Sequence, residues 1–308
     1  MNDLIISLIR DSFSSATPIL LAALGGMFTY HTDVFNISME GMMLVGAFYA
    51  VVGSYMFGSW YVGIVFALAS GLIISLIYAF FVIYMKTDEF ITGIGINMLA
   101  LGGTTYLLRN MFHVKGAFIS PSIVSIPKWD IPGLNRIPVV SDILNNHPFI
   151  VYIGIMAAIT AHVIIFHTRF GLHLRAVGEE PEAARSVGVN PDRMKFIASL
   201  LSGFLSALAG VYLSLGYVTL FSENMSNGRG WISLAIIILV RGRPLSILSM
   251  SLIFGFFESV GLSLQNFGIA PQLTSMIPYI ITIAALYLYG MERIKKKKKR
   301  ERKKEETQ

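Results

Sequence analysis

Apolar stretches long enough to cross a lipid bilayer follow one another along nearly the whole chain, and nothing else narrows its fold as far. They lie near 12–30, 38–57, 60–85, 90–112, 148–168, 194–216, 230–240, 245–266 and 271–290. A hydrocarbon core about 30 Å thick takes about 20 residues of helix. The expected fold is therefore an all-α integral membrane protein, a polytopic bundle of about nine transmembrane helices (roughly eight to ten at that length per crossing). The seventh window, WISLAIIILV, is too short to span at about 1.5 Å per residue. It reads as a half-helix, or as a helix that borrows residues from Met225 onward.

Composition agrees. Hydrophobic residues make up 54% of the 308 and charged residues 14%, against roughly 45–50% and 25% in soluble proteins. Residues 1–291 are expected to form one transmembrane domain, leaving little for a soluble catalytic domain, so an ATPase serving this chain would be a separate polypeptide. The absence of cysteine excludes thiolate metal sites, iron–sulfur clusters, disulfides and thiol catalysis. The opening MNDLIISLIRDSFSS lacks a basic n-region and a small-residue cleavage site, so the first helix is expected to be its own insertion signal.

The net charge of +6 is carried by residues 292–308, with ten basic and four acidic side chains. A basic tail just past an apolar segment reads as a cytoplasmic anchor on anionic lipid, in preference to a nucleic-acid site. With the tail in the cytoplasm, alternation through nine crossings puts residues 169–195 in the cytoplasm and the N-terminus outside, with 18 basic residues inside and six outside. An extra short helix in Asp3–Ser12 would flip the N-terminal side. The longest loop, 113–147, falls outside and carries Pro121, Pro127, Pro132 and Pro138, which break helices. It reads either as a covering loop or as a docking surface for an external binding protein. Many glycines, among them Gly25, Gly26, Gly41, Gly46, Gly93, Gly95, Gly102 and Gly103, lie inside the apolar windows, where small residues permit close helix packing.

The segment 169–195, RFGLHLRAVGEEPEAARSVGVNPDRMK, keeps nine charges among 27 residues between two crossings. Pro181 suits a first helical turn, Glu179, Glu180 and Glu182 suit the positive end of its dipole, and Gly188 suits its end. A two-turn helix is expected over 181–187. Such a helix is unstable alone in water and needs a surface to hold it.

The stretches ATPILLAALGGMFTYHTDVFNISMEGMMLVGAF, LHLRAVGEEPEAARSVGVNPDRMKFIASLLSGFLSALAGVYLSLG and NMSNGRGWISLA resemble the permease subunits of ABC importers of the branched-chain amino acid, ribose and nucleoside group. The shorter permease of nucleoside (BMP-lipoprotein) systems is the nearest in kind, and the likeness runs over most of residues 15–290. The resemblance implies a permease working beside a second, different permease chain, an ABC ATPase that binds the ATP, and an extracytoplasmic substrate-binding lipoprotein, in the cytoplasmic membrane of a prokaryotic cell. It implies no cofactor on this chain and no enzymatic step. It also implies a cytoplasmic coupling helix in the loop from Arg175 to Gly188 that docks on the ATPase, with Glu179, Glu180, Glu182 and Arg185 as its polar contacts.

Polar residues inside the windows are candidates for the substrate path, because burying them in lipid is costly. Asn36 and Glu40, four apart, are expected to share a face at the start of the second helix, where Glu40 also suits a first turn. Asn97 and Glu258 lie deeper, and Glu258 is expected either to line the path or to pair with Arg109 or Arg229. A nucleoside requires a stacking surface and hydrogen-bonding groups. Phe221, Asn224, Asn227, Arg229 and Trp231, with Gln265 and Asn266, offer both, although aromatic residues at this level also serve as membrane anchors. His162 and His167, five apart, fall on different faces of a helix, so no metal site is expected. No HExxH, GxSxG or Walker A pattern occurs. The competing reading is an ion- or proton-coupled secondary transporter of a small polar solute with Glu40 or Glu258 as its coupling carboxylate; a membrane enzyme lacks a paired nucleophile and base.

Overall fold

The computed structural model describes residues 2–130, 138–265, 271–274, 276–277 and 280–281. Most of the expected crossing at 271–290, Asn266 and the whole tail 292–308 lie outside the described residues. Among those described, seven helices are long and apolar enough to cross a membrane. They are α1 (Asn2–Tyr30), α2 (Met39–Phe57), α3 (Trp60–Ala79, prolonged by a π-helical turn at Phe80–Tyr84), α4 (Glu89–Phe112), α6 (Phe149–His167), α9 (Pro191–Val211, prolonged by a π-helical turn at Tyr212–Tyr217) and α11 (Pro244–Gln265). The shorter helices are α5 (Pro138–Leu144), α7 (Arg169–Glu179), α8 (Pro181–Ser186), α10 (Arg229–Val240) and α12 (Pro271–Thr274). Because α1 is continuous from Asn2, Asp3–Ser12 forms no separate helix.

Local chemistry sets the helix ends. The Asp88 carboxylate accepts the Phe90 and Ile91 N–H groups and starts α4; Asn190 does the same for α9 through the Arg193 N–H. At the other end, α2 stops at Gly58, which takes the left-handed conformation (φ 61°).

The middle of the bundle is α1. Its most apolar window is 89% buried, against 28% for that of α4. It packs on α9, α10, α11 and α6, and small residues set these approaches. A Cβ on Gly255 of α11 would stand 2.5 Å from the Ser12 carbonyl of α1, and one on Gly210 of α9 would stand 2.1 Å from the Met43 carbonyl of α2. Gly25, Gly26, Gly41, Gly46 and Gly93 are likewise tightly packed, whereas Gly95, Gly102 and Gly103 on α4 meet nothing. The close packing expected of these last three is absent among the described residues.

The loop 113–147 folds over one end of the bundle. Strand β1 (Ala117–Phe118) pairs antiparallel with β4 (Phe221–Ser222), and β2 (Lys128–Trp129) with β3 (His147–Pro148). Phe118 stacks on Phe112 at 3.9 Å between ring centroids. The Ser54 hydroxyl both donates to the Val124 carbonyl and accepts the Val124 N–H, pinning the loop to α2. Residues 131–137 of this loop lie outside the described residues.

Candidate functional site

Two helices begin inside the bundle. After Tyr30 the chain turns and runs back without helix through residues 34–36 before α2 starts at Met39. Asn36 is therefore not on α2, and the face it was expected to share with Glu40 does not exist. Its side-chain carbonyl accepts the Ser38 N–H (3.0 Å) and the Ser38 hydroxyl, and its amide donates to Ser202 Oγ at 2.8 Å. Ser202 stands about 17 Å along α9 from Pro191 at 1.5 Å per residue, which puts this non-helical stretch deep in the bundle. Asn97 supports the same stretch from α4: its amide donates to the Ile37 carbonyl (3.0 Å) and its oxygen accepts the Gly41 N–H (2.8 Å). Both asparagines thus satisfy backbone groups that a broken helix leaves bare, as lipid demands.

From the opposite end, residues 221–228 lead into α10, whose 12 residues extend about 18 Å. The half-helix reading holds, and Met225 is not part of the helix. Its N-terminus meets that of α2 at Glu40. The Glu40 carboxylate, only 9% exposed, accepts the Gly228 N–H on one oxygen (2.8 Å) and the Gly230 N–H on the other (2.6 Å). One carboxylate therefore stands in the first turn of its own helix and caps a second, where free N–H groups and the helix dipole both favour negative charge. Gly228 holds a positive φ of 79°. A Cβ on Gly230 would come within 2.7 Å of the Glu40 backbone, so this approach requires glycine.

Beside this junction Arg229 pairs with Glu258 of α11, with side chains 13% and 14% exposed. Of the two partners expected for Glu258, the structure selects Arg229; Arg109 pairs instead with Glu223 at an exposed position. Arg229 also donates to the Met225 carbonyl (3.2 Å). Its Nε and the second Glu258 oxygen have no partner among the described residues.

The outer aromatic and amide set fares less well. Phe221 is fully buried and packs edge-on against Phe48 at 5.1 Å, so it presents no face to a base, which corrects its expected role. Asn224 and Asn227 occupy left-handed turn positions (φ 58° and 46°). Trp231 is 41% exposed on α10. Gln265 donates to Thr274 Oγ1 at 2.8 Å. The rings of His162 and His167, placed on different faces by spacing alone, come within 5.7 Å at the end of α6; among the described residues no third metal-binding side chain joins them.

The charged module projects from the end of the bundle opposite the 113–147 loop. Thr168 caps α7, accepting the Gly171 N–H, and α7 buries Leu174 and Val177. Gly178 lies so close to the chain at His31 that a Cβ would sit 2.3 Å from the His31 carbonyl. His31 in turn donates from Nε2 to the Gly242 carbonyl just past α10 (2.9 Å). Burial pushes the His31 imidazole below its ordinary value; the Gly242 hydrogen bond opposes the shift and the charge of Arg175 adds to it. Contacts through His31 thus connect α7 to the end of α10.

Helix α8 is one residue shorter than expected and buries Ala184 alone. Glu182 and Arg185 are exposed, 3.7 Å apart, and Arg185 also reaches Asp192 at 4.0 Å. Val187 is 79% exposed, and Gly188 closes the helix at φ 86°. Glu180 is the N-cap of α8. Glu179 instead ends α7, at the negative end of that helix, so the favourable placement expected for it is not found. Arg175 differs from the exposed group: its guanidinium lies 5.3 Å over the Phe166 ring.

Helices broken inside the bundle and satisfied by side chains, with a charged module at one end, define a polytopic membrane protein. A family model described as the permease component of branched-chain amino acid transport systems matches residues 8–286, and the chain belongs to that family. It is 35% identical to the guanosine ABC transporter permease protein NupQ of Bacillus subtilis, over 88% of each chain. It is 32% identical to the nucleoside ABC transporter permease protein NupC of Lactococcus lactis, over 89% of each. A putative glucose ABC transporter permease protein of Haloferax volcanii is 28% identical over 91% of this chain and 90% of its own. No solved structure matches. The chain is thus a multi-pass membrane protein and a transport subunit rather than an enzyme, and an ion-coupled secondary transporter is not favoured.

Proposed function

We propose that this chain is the permease of an ATP-driven importer of nucleosides. The observation that carries the substrate class is the pair of nucleoside permeases, NupQ and NupC, matched over nearly their whole length at 35% and 32% identity, above the glucose permease at 28%. The permease works with a separate ABC ATPase, which binds the ATP, with a second and different permease chain, and with an extracytoplasmic substrate-binding lipoprotein. It sits in the cytoplasmic membrane of a prokaryotic cell, with the basic tail and the 169–195 loop on the cytoplasmic face.

Helix α8 is the coupling helix on this reading. Glu180, Glu182 and Arg185 contact the ATPase with Glu179 beside them, Gly188 ends the helix, and Arg175 anchors α7 on Phe166 rather than touching the partner. The exposure of Glu182 and Arg185 on so short a helix, and of Val187 just past its end, supports this, because a six-residue helix gains its stability from what it packs on. Closure of the ATPase would push α8, and the chain of contacts through Gly178, His31 and Gly242 offers a route to α10. Uptake of radiolabelled guanosine by cells expressing the complete system, compared with cells lacking this chain, tests the reading. Dependence of glucose uptake, and not guanosine uptake, on the chain would refute it.

A further inference from the structure

At the end of the bundle covered by the 113–147 loop, α1, the π-helical end of α9, the β2–β3 pair and α11 line a half-open cavity of about 470 Å³, within the range that holds small-molecule ligands (roughly 300–1,000 Å³). Its chemistry is mixed. Arg10 and Asp11 from α1 and Lys128 from β2 contribute charge, Ser14 and Gln265 contribute neutral hydrogen-bonding groups, and Tyr217 contributes a half-buried aromatic ring. Tyr212 is fully buried and lines the cavity beside Tyr217. The π-helical turn closes hydrogen bonds from i to i+5, which brings these two tyrosines, five apart, together at 6.3 Å between centroids.

The cavity lies next to the polar junction. Ser259 forms part of its wall and is the sequence neighbour of Glu258, whose second oxygen is buried without a partner, as is Arg229 Nε, among the described residues. Spare hydrogen-bonding capacity of this kind in a buried place calls for an explanation. Charges of both signs, with amide and hydroxyl groups, suit a neutral polar solute better than a lipid tail, and a tyrosine ring in the lining suits one with an aromatic face.

We propose that this cavity is the receiving site for the nucleoside on the outer side of the membrane. The base stacks on Tyr217, and the ribose hydroxyls and base edge bond to Asp11 and Gln265. The proposal rests on the nucleoside reading above and gives it a place.

The test uses the complete importer, with ATPase, second permease and binding protein, in proteoliposomes. The probes are tritiated guanosine for uptake and an 8-azido nucleoside for photolabelling of the unmutated complex. Labelled peptides are expected from the start of α1 and the Tyr212–Gly216–Tyr217 turn. Base–aromatic stacking measured by alanine substitution predicts that Tyr217→Ala lowers uptake about tenfold at saturating binding protein. Tyr217→Phe, which keeps the ring, recovers most of that loss, and Ser263→Trp, which fills the cavity, abolishes uptake. Label confined to other elements, or uptake within about twofold of the parent in both Tyr217→Ala and Ser263→Trp, overturns the proposal while leaving the nucleoside reading standing. A parent complex that moves glucose but no guanosine overturns both.

Discussion

Replacing Glu258 by leucine leaves the Arg229 guanidinium in a site where its side chain is 13% exposed and where its remaining acceptors are the Met225 and Ser226 carbonyls at 3.2 and 3.4 Å. Breaking a buried ion pair by removing one partner costs about 3–5 kcal/mol, because an uncompensated charge stays behind. Replacing both partners by apolar residues removes that penalty and is often neutral or stabilising. The expectation is therefore non-additive: Glu258→Leu and Arg229→Met each lose about 3–5 kcal/mol, and the double variant loses about 1 kcal/mol or less. Reversible unfolding in mixed micelles, followed by circular dichroism, measures all four corners of the cycle. Guanosine uptake adds a second readout, since a double variant that is stable yet inactive assigns the pair to transport as well as to folding. Losses that add in the double variant would refute the coupling, and with it the reading of Arg229 and Glu258 as one unit.

Three further outcomes are expected. Arg185→Glu, which reverses charge on an exposed helix, should abolish uptake and co-purification of the ATPase while membrane insertion stays normal; normal uptake would remove α8 from the coupling role. Gly210→Ala should cost at least about 1–3 kcal/mol by overpacking, because its Cβ would meet the Met43 carbonyl and the Ala47 nitrogen, both backbone; melting of the detergent-solubilised protein within about 1 °C of the parent would count against this contact. His31 and His147 are both pushed below the ordinary imidazole value of 6.5, first by burial, against opposing hydrogen bonds to Gly242 and Ile143. The folded state then refuses a proton that the unfolded chain accepts, so their contribution is whole above about pH 6.5 and is lost as pH falls below it. His147→Gln should flatten that slope in melts taken between pH 5 and 8, and an unchanged slope would exclude His147 as a contributor.

The crossings were readable because a long apolar run has one solution in lipid, and WISLAIIILV was readable as half a helix by length alone. Pairing of Glu258 was foreseen only as one of two choices, since sequence says which buried charges need partners and not which come within reach. Asn36 was misplaced because spacing of four presumes that a helix already exists; here Asn36 and Ser38 form the turn that precedes it. The tyrosines of the cavity were missed for a related reason: the i+5 spacing of Tyr212 and Tyr217 belongs to no α-helical face and becomes a pair only through the π turn. Phe221 carried the right chemistry, but strand pairing with Phe118 drew it into the core.

The 12 residues of α10 have a consequence for how the protein is made. A segment that short, preceded by non-helical chain, gives the insertion machinery too little hydrophobic length to hold as an independent crossing. The Gly230 N–H in its first turn is satisfied by Glu40, 190 residues earlier. The ribosome has therefore long since released α2 when α10 emerges, and α10 cannot settle until it finds a partner already in the membrane. Assembly acquires an order: α1 and α2 first, a waiting carboxylate held inside the nascent bundle, and α10 with α11 closing on it last. A Glu40 variant would then be expected to fail during biosynthesis, with α10 and α11 exposed to membrane proteases, before transport is ever in question.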